Sequence, residues 1–112
     1  MGEDHPLVIA LSGDWDIYRR DELEAALRPA RECPEVVLDF SAVTYADSTV
    51  LSALAVMRKE RVARGYPASR VVPSASIARL FEITQMSRLW PCFETVDDAL
   101  RSFAGTPNPN SA

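Results

Sequence analysis

Short, uninterrupted apolar runs alternate along this chain with stretches of helical periodicity, and few folds accommodate that alternation. Residues 7–11 (LVIAL) and 36–40 (VVLDF) are continuous enough for strands buried on both faces. Residues 68–72 form a weaker third run, and residues 90–93 a fourth that contains Pro91, a residue unable to donate to a strand ladder. Between the runs, residues 21–28 are expected to be helical, with Asp21 as cap, Glu24 as its reciprocal partner, and Leu23, Ala26, Leu27 and Ala30 on one face. Pro29 is expected to spoil the last turn. The longest helix is predicted over residues 48–64, apolar nearly all round in its first half, charged in its second, and stopped by Gly65. Ser74 is placed to cap a helix running to about Gln85, with Ile77, Leu80, Phe81 and Thr84 toward the core. Thr95 or Asp97 caps a final helix carrying Ala99, Leu100 and Phe103. The order β-α-β-α-β-α-β-α predicts an α/β fold: an about four-stranded mixed sheet covered by about four helices.

The 112 residues suit one domain, expected over residues 7–104, with a flexible N-terminus at 1–6 and a polar, Pro- and Asn-containing disordered tail at 105–112. With 47% hydrophobic residues the chain can bury a core without disulfides or a metal. A net charge of -4 argues against nucleic acid as the main partner and supplies no polybasic anchor for a membrane. The apolar runs are too short to span a bilayer, and the acidic start MGEDHP has no signal-peptide core. Pro6 stands where a myristoylation signal wants Ser or Thr. Cys33 and Cys92 have no metal-site spacing and are expected to be free thiols in a cytoplasmic protein. His5 is the one histidine, which weakens any case for histidine-based catalysis or a zinc site. No cofactor, no metal and no enzymatic activity are expected.

Ligands and partners of open α/β sheets meet the loops beyond the carboxyl ends of the strands. Here those loops are residues 13–20 and 41–49, which carry Asp14, Asp16, Ser41, Thr44, Asp47, Ser48 and Thr49. The most informative stretch is residues 36–54, where a buried strand leads through a loop to Asp47-Ser48-Thr49 at the start of a helix. The unpaired N–H groups and partial positive charge of a helix N-terminus suit a phosphate on Ser48, while Asp47 beside it repels one. Spacing alone favours a plainer role, since Asp, Ser and Thr are ordinary N-caps. Asp14 and Asp16 can likewise be turn residues around Gly13, and the charged run 58–64 reads as a solvated helix face. Trp15, Tyr18 and Tyr45 are open between sheet-edge packing and a partner patch.

Taken together, these stretches resemble STAS domains, and specifically the bacterial anti-sigma-factor antagonists. Leu11-Ser12-Gly13-Asp14-Trp15-Asp16 is similar to the family's L-x-G-E-L-D opening, and residues 36–49 to its strand-loop-D-S-[ST]-G stretch. Arg79-Leu80-Phe81-Glu82-Ile83 resembles its R-L-F segment, and Phe93-Glu94-Thr95 with Asp98-Ala99-Leu100 its closing strand and helix. The resemblance covers roughly residues 7–103. It implies a switch protein that binds a serine-kinase-type anti-sigma factor, frees the sigma factor, and is disabled by phosphorylation of the serine after the motif Asp. That serine corresponds to Ser48. Asp16, Asp47, Thr49 and Val50 are the expected partner-binding residues, and a metal-dependent phosphatase is the expected restoring partner. Val50 occupies the family's usual glycine position, Asp14 replaces Glu, and Trp15 replaces a small aliphatic residue. The short segment before Leu7 leaves room for no extra edge strand, so self-association through an open edge is an expectation. Other readings are a STAS-fold interaction or ligand-sensing module without a phosphoswitch, stressosome-like or a lipid-transport subunit, and a receiver domain with Asp14, Asp16, Asp39 and Asp47 around magnesium. Only Lys59 is available as a lysine, before the later strands, which weighs against a receiver.

Overall fold

The computed structural model describes residues 5–104; the expectations for residues 1–4 and for the tail lie outside them. Strand β1 runs over Leu7–Trp15, helix α1 over Arg20–Leu27, β2 over Val36–Ala46, α2 over Ser48–Ala63, β3 over Arg70–Pro73, α3 over Ala75–Thr84 and α4 over Val96–Ala104. The α/β class and the four helices are as expected. β1, β2 and β3 form a three-stranded sheet in that order, and both pairings are parallel because a helix crosses over between consecutive strands. Thus the paired strands are not mixed. The expected fourth strand is reduced to one parallel bridge, Val71 to Cys92, with Val71 N–H donating to Pro91 O at 2.9 Å and Phe93 N–H to Val71 O at 2.8 Å. Pro91 lacks the N–H that a longer ladder would need. β1 is an edge strand among the described residues, and Val8 on it is 42% exposed.

Both early strands are longer than their apolar runs. Ser12-Gly13-Asp14 does not end β1, because two register shifts against β2 absorb it and Gly13 takes φ +85°, a conformation that a side chain resists. Alternation then divides the core. Ile9, Leu11, Leu38, Phe40 and Val71 face α1, α2 and α3, where Leu23, Leu27, Val50, Leu54, Ile77, Phe81 and Trp90 meet them. Val37 and Val72 point the other way, against Ala99 and Phe103 of α4. Fully buried side chains such as Leu38 and Leu54 each contribute about 1.5–3 kcal/mol.

Helix ends follow the capping chemistry with one exception. Asp47, Ser74 and Thr95 accept from the N–H groups of Thr49, Ile77 and Asp98 at 2.8, 3.1 and 3.0 Å. Gly65 follows α2 at φ +76°. α1, however, begins one residue before Asp21, behind Arg19, which makes no side-chain cap, so Asp21 lies in the first turn instead of capping it. Pro29 does end α1, and a 3-10 segment over Arg28–Glu32 carries the chain on to bury Ala30.

The charged run at the end of α2 is not wholly solvated. Arg61 is 2% exposed. Its Nη1 donates to Ala30 O and Cys33 O at 2.8 and 2.5 Å, and its Nη2 to Pro34 O and Pro67 O at 2.7 and 2.9 Å. One guanidinium thereby ties the approach to β2 and the approach to β3 to α2. Burial lowers its pKa.

Candidate functional site

β1 and β2 end side by side, with Trp15 paired to Ala46. The next residue of each strand is an aspartate in extended conformation that caps the helical turn beyond it. Asp16 Oδ1 accepts from Tyr18 N–H at 3.0 Å, and Asp47 Oδ1 from Thr49 N–H at 2.8 Å. The plain capping role is therefore real for both. It also places Asp16 and Asp47 at adjacent strand ends, half-buried, on the rim that holds Ser48.

Ser48 is the first residue of α2 and is exposed; Thr49 is half-buried. Val50 is 2% exposed and packs in the core. Its expected place among the partner contacts is corrected accordingly: the side chain points inward, so it offers a partner no surface and adds no bulk on the face that carries Ser48. Around this face Tyr18 is 91% and Tyr45 51% exposed, whereas Trp15 is buried, its indole N–H donating to Ser12 O at 3.0 Å.

Ser48 lies at one end of a groove of about 430 Å³ between α1 and α2. The two helices leave neighbouring parallel strands and run in the same direction. Arg31, just beyond α1, pairs with Glu60 at 2.7 Å near the far end. The α1 side carries Ile17, Arg20, Glu24 and Arg28, and the α2 side Ser48, Thr49, Ser52 and Val56. Sequence reasoning missed this basic wall. Its signal was present in the helical spacing of Arg20, Glu24, Arg28 and Arg31, and in Ser52 one turn beyond Ser48.

The remaining oxygen-bearing residues of the two loops are spent on one another. The Thr44 hydroxyl donates to the Asp14 carboxylate, and Ser76 Oγ to Thr44 O at 3.0 Å, which pins the start of α3 to β2. Asp39 accepts from the N–H and hydroxyl of Ser41 at 3.1 and 2.7 Å. Arg19 donates to Asp14 O at 2.8 Å, holds Glu22 at 2.8 Å and lies 3.7 Å over the Trp15 ring. The bond to Glu22 raises the Arg19 pKa and lowers that of Glu22. Among the described residues no three His, Cys, Asp or Glu side chains are grouped to hold a metal, and no helix is long and apolar enough to cross a membrane. Asp14, Asp16, Asp39 and Asp47 thus do not assemble the magnesium site of a receiver.

Residues 2–99 match the family model for the STAS domain. An anti-sigma factor antagonist from Mycobacterium paratuberculosis is similar over 91% of this chain and 88% of its own, with 27% identity and a TM-score of 0.74. The anti-sigma factor antagonist SpoIIAA in its unphosphorylated form is similar over 96% of each chain, with 18% identity and a TM-score of 0.72. The phosphorylated form of SpoIIAA, a Bacillus cell fate determinant, is similar over 92% of this chain and 95% of its own, with 17% identity and a TM-score of 0.65. At those last two identities the likeness speaks for the fold.

Proposed function

This chain belongs to the STAS domain family, and from that premise we propose that it is a cytoplasmic anti-sigma-factor antagonist switched by phosphorylation of Ser48. The partner is a serine-kinase-type anti-sigma factor. Unmodified, the rim around Ser48 binds the kinase and releases the sigma factor. The kinase then transfers the γ-phosphoryl group of its ATP to the Ser48 hydroxyl oxygen; ADP leaves, and the hydroxyl proton is lost. A metal-dependent phosphatase returns the serine by hydrolysis. ATP belongs to the kinase, and this chain acts by binding alone.

The observation that carries the reading is the exposure of Ser48 at the first turn of α2, at the end of an open groove. The similarity to the mycobacterial antagonist supports the choice of partner. Asp16, Asp47 and Thr49 belong to the contact surface by their place on the rim, and the exposed rings of Tyr18 and Tyr45 suit its margin.

Ser48→Ala is expected to fold and to bind the kinase-type partner constitutively in a pull-down. Ser48→Asp is expected to fold and to bind at least tenfold more weakly. Equal binding by both variants, with phosphosite mapping that finds Ser48 unmodified by the recovered kinase, would end the proposal. The groove volume favours a second reading, a ligand-sensing STAS module without a phosphoswitch. Saturable small-molecule binding that Ser48→Ala leaves intact, with no kinase recovered, selects it.

A further inference from the structure

A switch at Ser48 needs a place for the phosphate it creates, and the helix end alone does not supply one. The carboxylate of Asp47 already takes the Thr49 N–H at 2.8 Å, so the anion position of the first turn is occupied by the protein itself. A phosphate on Ser48 adds a charge of about −1.5 to −2 next to that carboxylate. Two anions in one place demand a cation from another element.

The groove provides it. Arg20 shares the groove with Ser48 and is the first residue of α1, a helix end where positive charge is disfavoured. Its ion pair with Glu24 spans 3.4 Å, with the side chains 65% and 51% exposed, and pairs of that kind contribute little. Arg28 lies two turns further along α1, and two other arginines are committed elsewhere. Arg19 is held by Glu22, Asp14 and the Trp15 ring, and Arg31 by Glu60 near the far end. Among the arginines that line the groove, Arg20 stands on the helix turn nearest the start of α2 and is weakly held.

We propose that Arg20 receives the phosphate of modified Ser48. On phosphorylation the guanidinium exchanges Glu24 for the phosphate oxygens, which its planar fork suits, and draws α1 and α2 together at the mouth of the groove. The modified protein then presents a closed mouth where the unmodified one presents an open one. This inference rests on Ser48 being the acceptor and adds how its modified state is held.

The test installs phosphoserine at position 48 during translation, so it needs no kinase. The second ionisation of the phosphate is followed by phosphorus NMR as pH is varied. In the otherwise native chain its midpoint is expected below the ordinary value of about 6. Arg20→Gln should raise it by roughly half a unit or more, and Arg28→Gln, further along the groove, should leave it in place. Glu24→Gln, which removes the competitor for Arg20, should lower it further. Groups that also face the phosphate are Asp47 beside it, Asp16 at the adjacent strand end and Glu24 across the groove, and all three are present unchanged in the Arg20→Gln comparison. Identical midpoints in the native chain and Arg20→Gln overturn the assignment of Arg20. A shifted midpoint in a protein that no kinase modifies would leave Arg20 as assigned and remove the switch, so the two ideas fail separately.

Discussion

Arg61 shows how one side chain can contradict the pattern around it. In RKERVAR it looks like one more charge on a wet helix face, yet it continues the buried stripe of Val50, Leu54 and Met57 at helical spacing. Its place in the core is tolerable because four carbonyl oxygens meet its guanidinium. Arg61→Met keeps the stem and removes those bonds, leaving carbonyls of the connecting segments without their donor. A loss of roughly 2–4 kcal/mol is expected in urea denaturation. Arg61→Lys should recover little, since one ammonium cannot reach carbonyls spread around a planar fork. A loss under about 1 kcal/mol for either variant would mean that water replaces the guanidinium and that the tie is dispensable. The contrast with Arg20 is instructive. Both are arginines on neighbouring helices, but one is fixed by buried oxygens and the other is left with a long, exposed partner.

Among the elements, α2 was the most legible in the sequence, because its start, its stop and its apolar stripe each have a local cause: Asp47, Gly65 and the positions of Val50, Leu54 and Met57. Asp47→Ala should cost about 1 kcal/mol by thermal or chemical denaturation, whereas Asp47→Asn, which keeps an acceptor for the Thr49 N–H, should cost much less. Equal losses would show that charge at the helix end, and not the cap bond, is what matters. The strand ends were less legible. β1 and β2 extend through polar residues because they pair with each other, with a register shift on either side of Ser12-Gly13, and such pairing is a property of two segments at once. The start of α1 departs from expectation for a related reason. Asp21 has the right residue type for a cap, but the preceding 3-10 turn behind Asp16 has already set the helical path. The site follows the same division. Ser48 on a helix start was readable from Asp47-Ser48-Thr49, whereas the groove beside it exists only because α1 packs along α2.

At the scale of the whole molecule the sheet separates two cores of unequal size. The larger lies under α1, α2 and α3 and includes Trp15, Phe40, Phe81 and Trp90; the smaller joins Val37 and Val72 to Ala99 and Phe103 of α4. Beyond those apolar contacts, α4 is held by Arg70, whose Nε donates to Ser102 Oγ at 2.8 Å and whose guanidinium lies 4.0 Å from the Phe103 ring centroid. A layer with so little buried surface should open on its own, at a free energy below that of global unfolding. Native-state amide exchange should therefore find α4 less protected than the central strand β2. Phe103→Ala sharpens the test, since it removes both the ring packed on the sheet and the face under Arg70. The α4 amides should then exchange at least roughly tenfold faster, while those of residues 36–40 change far less. Equal acceleration in both elements would make α4 part of the single cooperative unit and discard the two-layer picture. Ser48 and the groove belong to the opposite face of the sheet, so the same variant should leave the Ser48 pull-down unchanged. Fraying of α4 and binding at Ser48 are then expected to be independent, because β2 between them keeps Val36, Leu38, Phe40 and Val43 in the larger core when the contacts of Val37 are lost.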